Sequence, residues 1–188
     1  MIIPINNLFD ETIIFYEKLS YRRNSMSIKL AEYKDLGALV EIYNQAIETH
    51  RCTADMDVFS LEERIPWFEE HQSLEYPIYV YEVDDKVVGY LYFTAYRPGR
   101  RAMRYTAEIS YYIHNEYQRQ GIGTKMLAFA IEKSRELNFT NIIAILLEWN
   151  LPSVQLLKKF KFKEWGYLPQ IADFNGEVCS HLYYGLKI

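Results

Sequence analysis

The most constraining stretch of the 188-residue chain is a junction. An alternating run from Arg104 to Ile113 meets a short polar turn, His114 to Tyr117. Then Gln118-Arg119-Gln120-Gly121-Ile122-Gly123-Thr124 opens a segment of helical periodicity. Period two in the run sets Tyr105, Ala107, Ile109, Tyr111 and Ile113 on one face and Arg104, Thr106, Glu108, Ser110 and Tyr112 on the other, the pattern of a strand. A strand that turns through two glycines into a helix is a cradle for an anion. Glycine lets the backbone approach a ligand closely, and the unpaired N–H groups of a new helix point at it with about half a positive charge from the macrodipole. The loop predicts a ligand that carries phosphate.

Two familiar nucleotide loops do not fit these residues. A Walker A loop needs a glycine four residues before Gly-Lys-Ser/Thr, whereas Gly123 is followed by Thr124 and only then by Lys125, and no earlier glycine has the spacing. A dinucleotide fingerprint needs a third small residue where Met126 stands, and no β-α-β unit with an acidic ribose ligand accompanies it. The ligand is therefore sought elsewhere.

The rest of the composition narrows the field. A chain of this length fits one domain with a real core. A formal net charge of -4 argues against a general nucleic-acid binder. Cys52 and Cys179 lack metal-like spacing, and His50, His71, His114 and His181 form no ligand pattern, so no metal site is expected and a reduced, cytoplasmic setting is the default. No signal peptide or membrane span is expected, since no basic segment followed by a long apolar run opens the chain. Residues 1–25 read as an added arm, whose Leu8, Phe9, Ile13, Phe15, Tyr16 and Leu19 suit a short helix docked on the domain or a partner; a start-site extension is the alternative.

From Met26 the periodicities run in a regular order. Ser27 to Ala31 alternates as a strand. Leu36, Val40, Tyr43 and Ile47 then share a helical face, in a helix ending near His50. Ser60 with Glu63 forms a capping box that starts a second helix, carrying Ile65 and Phe68 and ending near His71. Pro77 to Val83 and Val87 to Tyr96 read as a tight hairpin around Asp84-Asp85-Lys86. The run leading to the glycine loop follows, with its helix extending to about Leu137. Thr140 to Leu147 is a continuous apolar run, as for a strand buried on both faces. Asn150 and Pro152 open a helix with Val154, Leu156, Leu157 and Phe160 toward the core. Strands near Lys163 to Leu168 and Cys179 to Lys187 close the chain around Asn175-Gly176.

That order, with Gln118-x-x-Gly121-x-Gly123 and Asn150-x-x-Ser153 each in place, resembles the GNAT superfamily of N-acetyltransferases over about Met26 to Ile188. Within it, Ile42-Tyr43-Asn44 with Glu48-Thr49, Arg101-Ala102, Thr106-x-Glu108-x-Ser110 and Asn150-x-Pro152-Ser153-Val154 resemble the phosphinothricin acetyltransferase group. The resemblance implies an α+β fold in α/β/α layers. Its mixed, mostly antiparallel sheet of about seven strands would be splayed at the acetyl-CoA site and flanked by about four helices. It also implies acetyl-CoA as donor, a small primary amine as acceptor and a homodimer. The chain departs from the group at Met103, where Tyr is common, at Ala54, near which an aromatic is common, and at Ser180, near which Asp is common. A differently shaped acceptor pocket is the expectation.

By the same resemblance, Arg119, Gln120, Gly121, Ile122, Gly123 and Thr124 hold the pyrophosphate, and the backbone of Tyr111, Tyr112 and Ile113 pairs with pantetheine and polarises the acetyl carbonyl. Asn150 and Ser153 contact the cofactor from the other side. Glu108 matches the family's carboxylate and is the candidate general base, working through water. An ordinary carboxylate is a poor match to an amine, so burial must raise its pKa or a relay must help. Leu157 stands where many superfamily members carry the Tyr that protonates the leaving thiolate. Arg101, Met103 and Arg104 are the candidate acceptor residues, Arg101 foremost, because a planar guanidinium suits a carboxylate. The leading expectation is an acetyl-CoA-dependent N-acetyltransferase of a small, amino-acid-like amine. Acetylation of a protein N-terminus or a polyamine, or acyl-CoA sensing without catalysis, are the alternatives.

Overall fold

A computed structural model of the chain describes residues 26–188, and the arm expected over 1–25 lies outside the described residues. The elements are strand Met26–Leu30 (β1), helices Leu36–Glu48 (α1) and Leu61–Glu70 (α2), and strands Ile78–Val83 (β2), Lys86–Ala95 (β3) and Thr106–Ile113 (β4). Helix Ile122–Glu136 (α3), strand Asn141–Leu147 (β5), helix Leu151–Lys159 (α4) and strands Lys163–Phe174 (β6) and Glu177–Lys187 (β7) complete the order. The strands form one seven-stranded sheet in the order β1-β2-β3-β4-β5-β7-β6. Every neighbouring pair is antiparallel except β4 and β5, so the sheet is mixed and mostly antiparallel, as expected.

Local chemistry explains the boundaries. The Ser60 hydroxyl accepts from Glu63 N at 3.3 Å and the Glu63 carboxylate from Ser60 N at 2.7 Å, the reciprocal cap that starts α2. Asp84 and Asp85 take φ of 51° and 62°, the paired left-handed residues of a two-residue hairpin between β2 and β3. Asn175 and Gly176, at φ 57° and 101°, turn β6 into β7 in the same way.

Two apolar layers sandwich the sheet. On one side α3 and α4 pack Ile122, Met126, Leu127, Ala130, Val154 and Leu157 against Tyr79, Leu91, Phe93, Ala107, Ile109, Ile142, Ala144 and Leu182. On the other, α1 and α2 pack Leu36, Leu39, Ile42, Tyr43, Ile47 and Phe68 against Ile78, Val80, Val87 and Tyr90. Leu157 is 0% exposed in the first layer, so its side chain serves packing, and truncation there would cost about 2–5 kcal/mol.

Most strand limits move by a residue, and two regions move further. The run into the glycine loop becomes strand at Thr106 rather than Arg104, because Arg101–Met103 forms a turn of 3-10 helix closed by Arg104 N on Arg101 O at 3.3 Å. The last hairpin is longer than Lys163 to Leu168 and Cys179 to Lys187. Strand β6 continues through Pro169 to Phe174, with a register shift between Leu168 and Ala172. It is the edge of the sheet, where a residue without an N–H and a bulge are both tolerated.

Candidate active site

The glycine loop forms one wall of a cavity of about 330 Å³. Of the residues expected to hold a cofactor, Tyr111, Tyr112, Ile113, Arg119, Gly121, Ile122, Gly123, Thr124, Asn150 and Ser153 line it. Gln120 does not, since its amide turns back to donate to Glu116 O at 3.0 Å. Arg119 and Gly121 sit at φ 59° and 80°, which bends the chain sharply into the first turn of α3. Gly123 has a different reason to lack a side chain. A Cβ there would lie 3.1 Å from Leu156 Cδ2 and 3.3 Å from Ile113 Cδ1, so helix α3, strand β4 and helix α4 approach one another only because the position is bare.

The cavity opens where the sheet comes apart. Strands β4 and β5 pair only at Thr106–Asn141, Ala107–Ile142 and Glu108–Ile143. Beyond Glu108 the strands diverge, which frees the β5-facing edge of β4 from Ile109 onward for another hydrogen-bonding partner. The Ile113 carbonyl is shared with the Gln118 amide at 3.4 Å. Across the gap, the Tyr111 hydroxyl meets Ser153 Oγ at 2.5 Å, tying β4 to the first turn of α4, and burial pushes the Tyr111 phenol up to about 12. Asn150 caps α4, its Oδ1 accepting from Ser153 N at 3.2 Å. Polar groups from three elements thus converge on one wedge.

Glu108 lies on the opposite face of β4 from Ala107 and Ile109, together with Ser110 and Tyr112. It is half-buried and accepts no hydrogen bond from any described residue. Burial holds its carboxyl above the ordinary range. Opposite it on β3 are Thr94 and, next along the same face, Tyr92, whose hydroxyl lies against Ser110 and within the field of Glu108. Tyr112 joins the two regions, because it lines the cavity and packs edge-on against Tyr43 of α1 at 4.9 Å between centroids. The Tyr43 hydroxyl in turn bonds Asp55 and, at 3.0 Å, Thr53 in the loop before α2.

Arg101, Met103 and Arg104 are not brought to the cavity. They line a separate depression with Glu75, Tyr96 and Arg97, and the Arg104 guanidinium is occupied by Arg101 O at 2.9 Å and the Tyr105 ring at 4.2 Å. Residues the sequence reading left out take their place around the wedge. Ala46 and Cys52 line it with Thr49, Pro152 and Leu156. Ala46 and Thr49 are three apart at the end of α1, a spacing that shares a helical face, and that was the signal available. Nothing in the sequence marks Cys52, which comes from the unpatterned loop after α1.

Residues 38–162 match the model of the Acetyltransferase (GNAT) family. The chain belongs to the GNAT family. Its relatives place this GNAT enzyme in the phosphinothricin acetyltransferase-like group. It is 35% identical over 87% of its length, and 96% of the relative's, to YwnH of Bacillus subtilis (strain 168), which carries a provisional phosphinothricin acetyltransferase name. It is 31% identical to the L-amino acid N-acyltransferase MnaT of Escherichia coli (strain K12), covering 87% of this chain and 94% of that one. The solved structure of YncA from Salmonella typhimurium, which contains its cofactor acetyl-CoA, superposes with a TM-score of 0.81 at 29% identity over 87% of this chain and 94% of that one. The GNAT chain is thus an acetyl-CoA-dependent N-acetyltransferase with the fold that the resemblance implied. The bare backbone at Gly121 and Gly123 and the open edge of β4 fit acetyl-CoA as the co-substrate.

Proposed function

We propose that this enzyme acetylates the α-amine of a small amino acid or amino acid analogue, with Glu108 as general base. The observation that carries the reading is Glu108 itself, a half-buried carboxylate with a raised pKa and no hydrogen-bond partner among the described residues, on the strand that runs into the acetyl-CoA wedge. Such a group accepts a proton more readily than an ordinary glutamate, which narrows its mismatch with an ammonium. The names of the relatives favour the same class of acceptor, since the E. coli protein is an L-amino acid N-acyltransferase and a Salmonella typhimurium relative, 31% identical, is an L-methionine sulfoximine/L-methionine sulfone acetyltransferase.

In this reading the first N–H groups of α3, the Arg119 to Thr124 backbone and the Thr124 hydroxyl hold the pyrophosphate. The Tyr111 to Ile113 edge and Asn150 align the pantetheine arm. A backbone N–H on that edge faces the thioester oxygen as it gains charge, and one such donor is worth about 3 kcal/mol. Glu108 takes the ammonium proton, directly or through water, and the freed lone pair attacks the thioester carbon. The C–N bond forms, the C–S bond breaks, the thiolate departs with its electron pair, and the second proton, shed by the attacking nitrogen, passes to the thiolate through water to give free coenzyme A. The enzyme works as a cytoplasmic homodimer: both cysteines are free thiols, and on the half of the sheet face that α1 and α2 leave free the Trp165 ring is exposed.

Thiol release from acetyl-CoA, measured across a panel of amines, tests the reading. Amino acids with a free α-amine should be the best acceptors. Glu108→Gln should lower turnover by about a hundredfold while acetyl-CoA affinity stays within about twofold, since a lost base affects the transition state and not cofactor binding. Unchanged turnover in the variant would remove Glu108 from the reaction.

A further inference from the structure

One cation near Glu108 touches no carboxylate. Arg64 of α2 is half-buried on the α1/α2 side of the sheet, and among the described residues no carboxylate lies within 4.0 Å of it. It is held instead by rings, its guanidinium carbon 4.0 Å from the Trp67 centroid, 4.9 Å from Tyr43 and 5.3 Å from Phe59. Ring contacts of this kind consume none of its N–H donors, and no described residue accepts a hydrogen bond from them, so they are available to fork onto a carboxylate.

The cage that holds Arg64 is continuous with the Glu108 site. Trp67 packs edge-on against Tyr92 at 5.2 Å between centroids, and Tyr43 packs on Tyr112, which lines the acetyl-CoA cavity. Tyr92 pairs across the ladder with Ser110, on the same face of β4 as Glu108. Arg64 acts on the Tyr92 hydroxyl from one sign of charge, and Glu108 and Asp55, the latter holding the Tyr43 hydroxyl, act on it from the other. Arg64 and Glu108, neither in an ion pair among the described residues, thus flank one tyrosine amid aromatic rings, whereas Asp55 is engaged by the Tyr43 hydroxyl. Leaving two half-buried charges without partners is costly, and a ligand carrying both signs relieves both.

From this arrangement we infer that Arg64 binds the α-carboxylate of the acceptor while Glu108 faces its α-amine, making Arg64 the residue that selects amino acids over simple amines. This rests on the amino-acid reading given above and assigns its recognition to α2 rather than to the arginines before β4. A forked pair onto a preorganised guanidinium is a strong, directional contact, so its loss falls on acceptor binding more than on the chemical step.

The test compares two acceptors that differ only in the carboxylate, L-methionine sulfone and its decarboxylated amine, 3-(methylsulfonyl)propylamine. With wild-type protein the amino acid should have the higher kcat/KM by at least about tenfold. Arg64→Met, which keeps an unbranched apolar stem in the cage, should raise KM for the amino acid by about 10- to 100-fold and leave the amine nearly unchanged, erasing the preference. Arg64→Lys keeps charge and packing but not the fork, so it should lose about tenfold on the amino acid alone. It also decides the matter if the methionine variant does not fold. Equal losses on both acceptors, or a preference that survives both substitutions, would overturn the assignment while leaving the function intact. Wild-type protein that acetylates only amines without a carboxylate would instead overturn the amino-acid reading, and this inference with it.

Discussion

At the scale of the residue, Glu108 works against the stability of the fold. Burial holds its carboxyl above the ordinary range, so the folded chain binds that proton more tightly than the unfolded chain does. Between the ordinary and the raised values the folded state carries the extra proton, and stability falls as pH rises through that window. Above both values the full cost of a buried, unpaired carboxylate is present. Glu108→Gln removes that cost without changing the shape of the side chain. The variant should melt higher than wild type near pH 8, and the gain should vanish near pH 4. Thermal melts at the two pH values check this, and a gain that is equal at both would mean that burial does not set the Glu108 pKa. Lost activity with raised stability is the exchange expected of a catalytic group.

Between residue and molecule stands the strand-loop-helix unit of β4, Gln118 to Thr124 and α3. Its glycines do different things, and only one role was legible in sequence. Gly121 supplies the positive φ that turns the chain, as any reading of a Gly-x-Gly loop suggests. Gly123 supplies space, and its neighbours Leu156 and Ile113 come from elements far apart in sequence, so the crowding is visible only after folding. Gly123→Val should therefore raise the Kd for acetyl-CoA by at least about a hundredfold, since the new branches enter the gap between Ile113 and Leu156 and push into the wedge. Calorimetric titration with acetyl-CoA measures it, and binding within threefold of wild type would show that the loop does not form the seat. The same contrast runs through the chain. Period-two strands, the Ser60–Glu63 box and the Asp84-Asp85 turn are local signals and matched the structure. The extension of β6 past Pro169 was hidden, because proline argues against a strand until the strand is known to be an edge. The Arg64 cage was hidden too, since it depends on how α2 lies on β3 and α1 and not on any spacing.

The whole molecule is asymmetric about its central strand. The helices α1 and α2 cover the β1-to-β4 half of one face, and their apolar cluster ends at Tyr112. On the same face the other half presents Ile145 of β5, His181 and Tyr183 of β7, and Trp165 of β6, which is 45% exposed and lies flat on Gly185, with ring atoms about 2 Å from where a Cβ would stand. Glu108 pairs with Ile143 at the boundary between the halves, so whatever covers the open half also walls the acceptor site. The second copy of the proposed homodimer would do both at once. An exposed indole this close to the proposed reaction centre is a natural seat for a partner, and covering it would also keep water from the thioester. Trp165→Glu places a charge in the middle of that face while leaving the α3/α4 core untouched. Sedimentation at about 10 µM should show wild type as a dimer and the variant as a monomer. The monomer should keep acetyl-CoA affinity within about threefold, since the wedge between β4, α3 and α4 lies in one chain, and should lose at least about tenfold in kcat/KM for the amine. A monomeric wild type would overturn the homodimer, and a variant that dimerises normally would place the partner elsewhere. A monomeric variant with full activity would show that the acceptor site is complete within one chain.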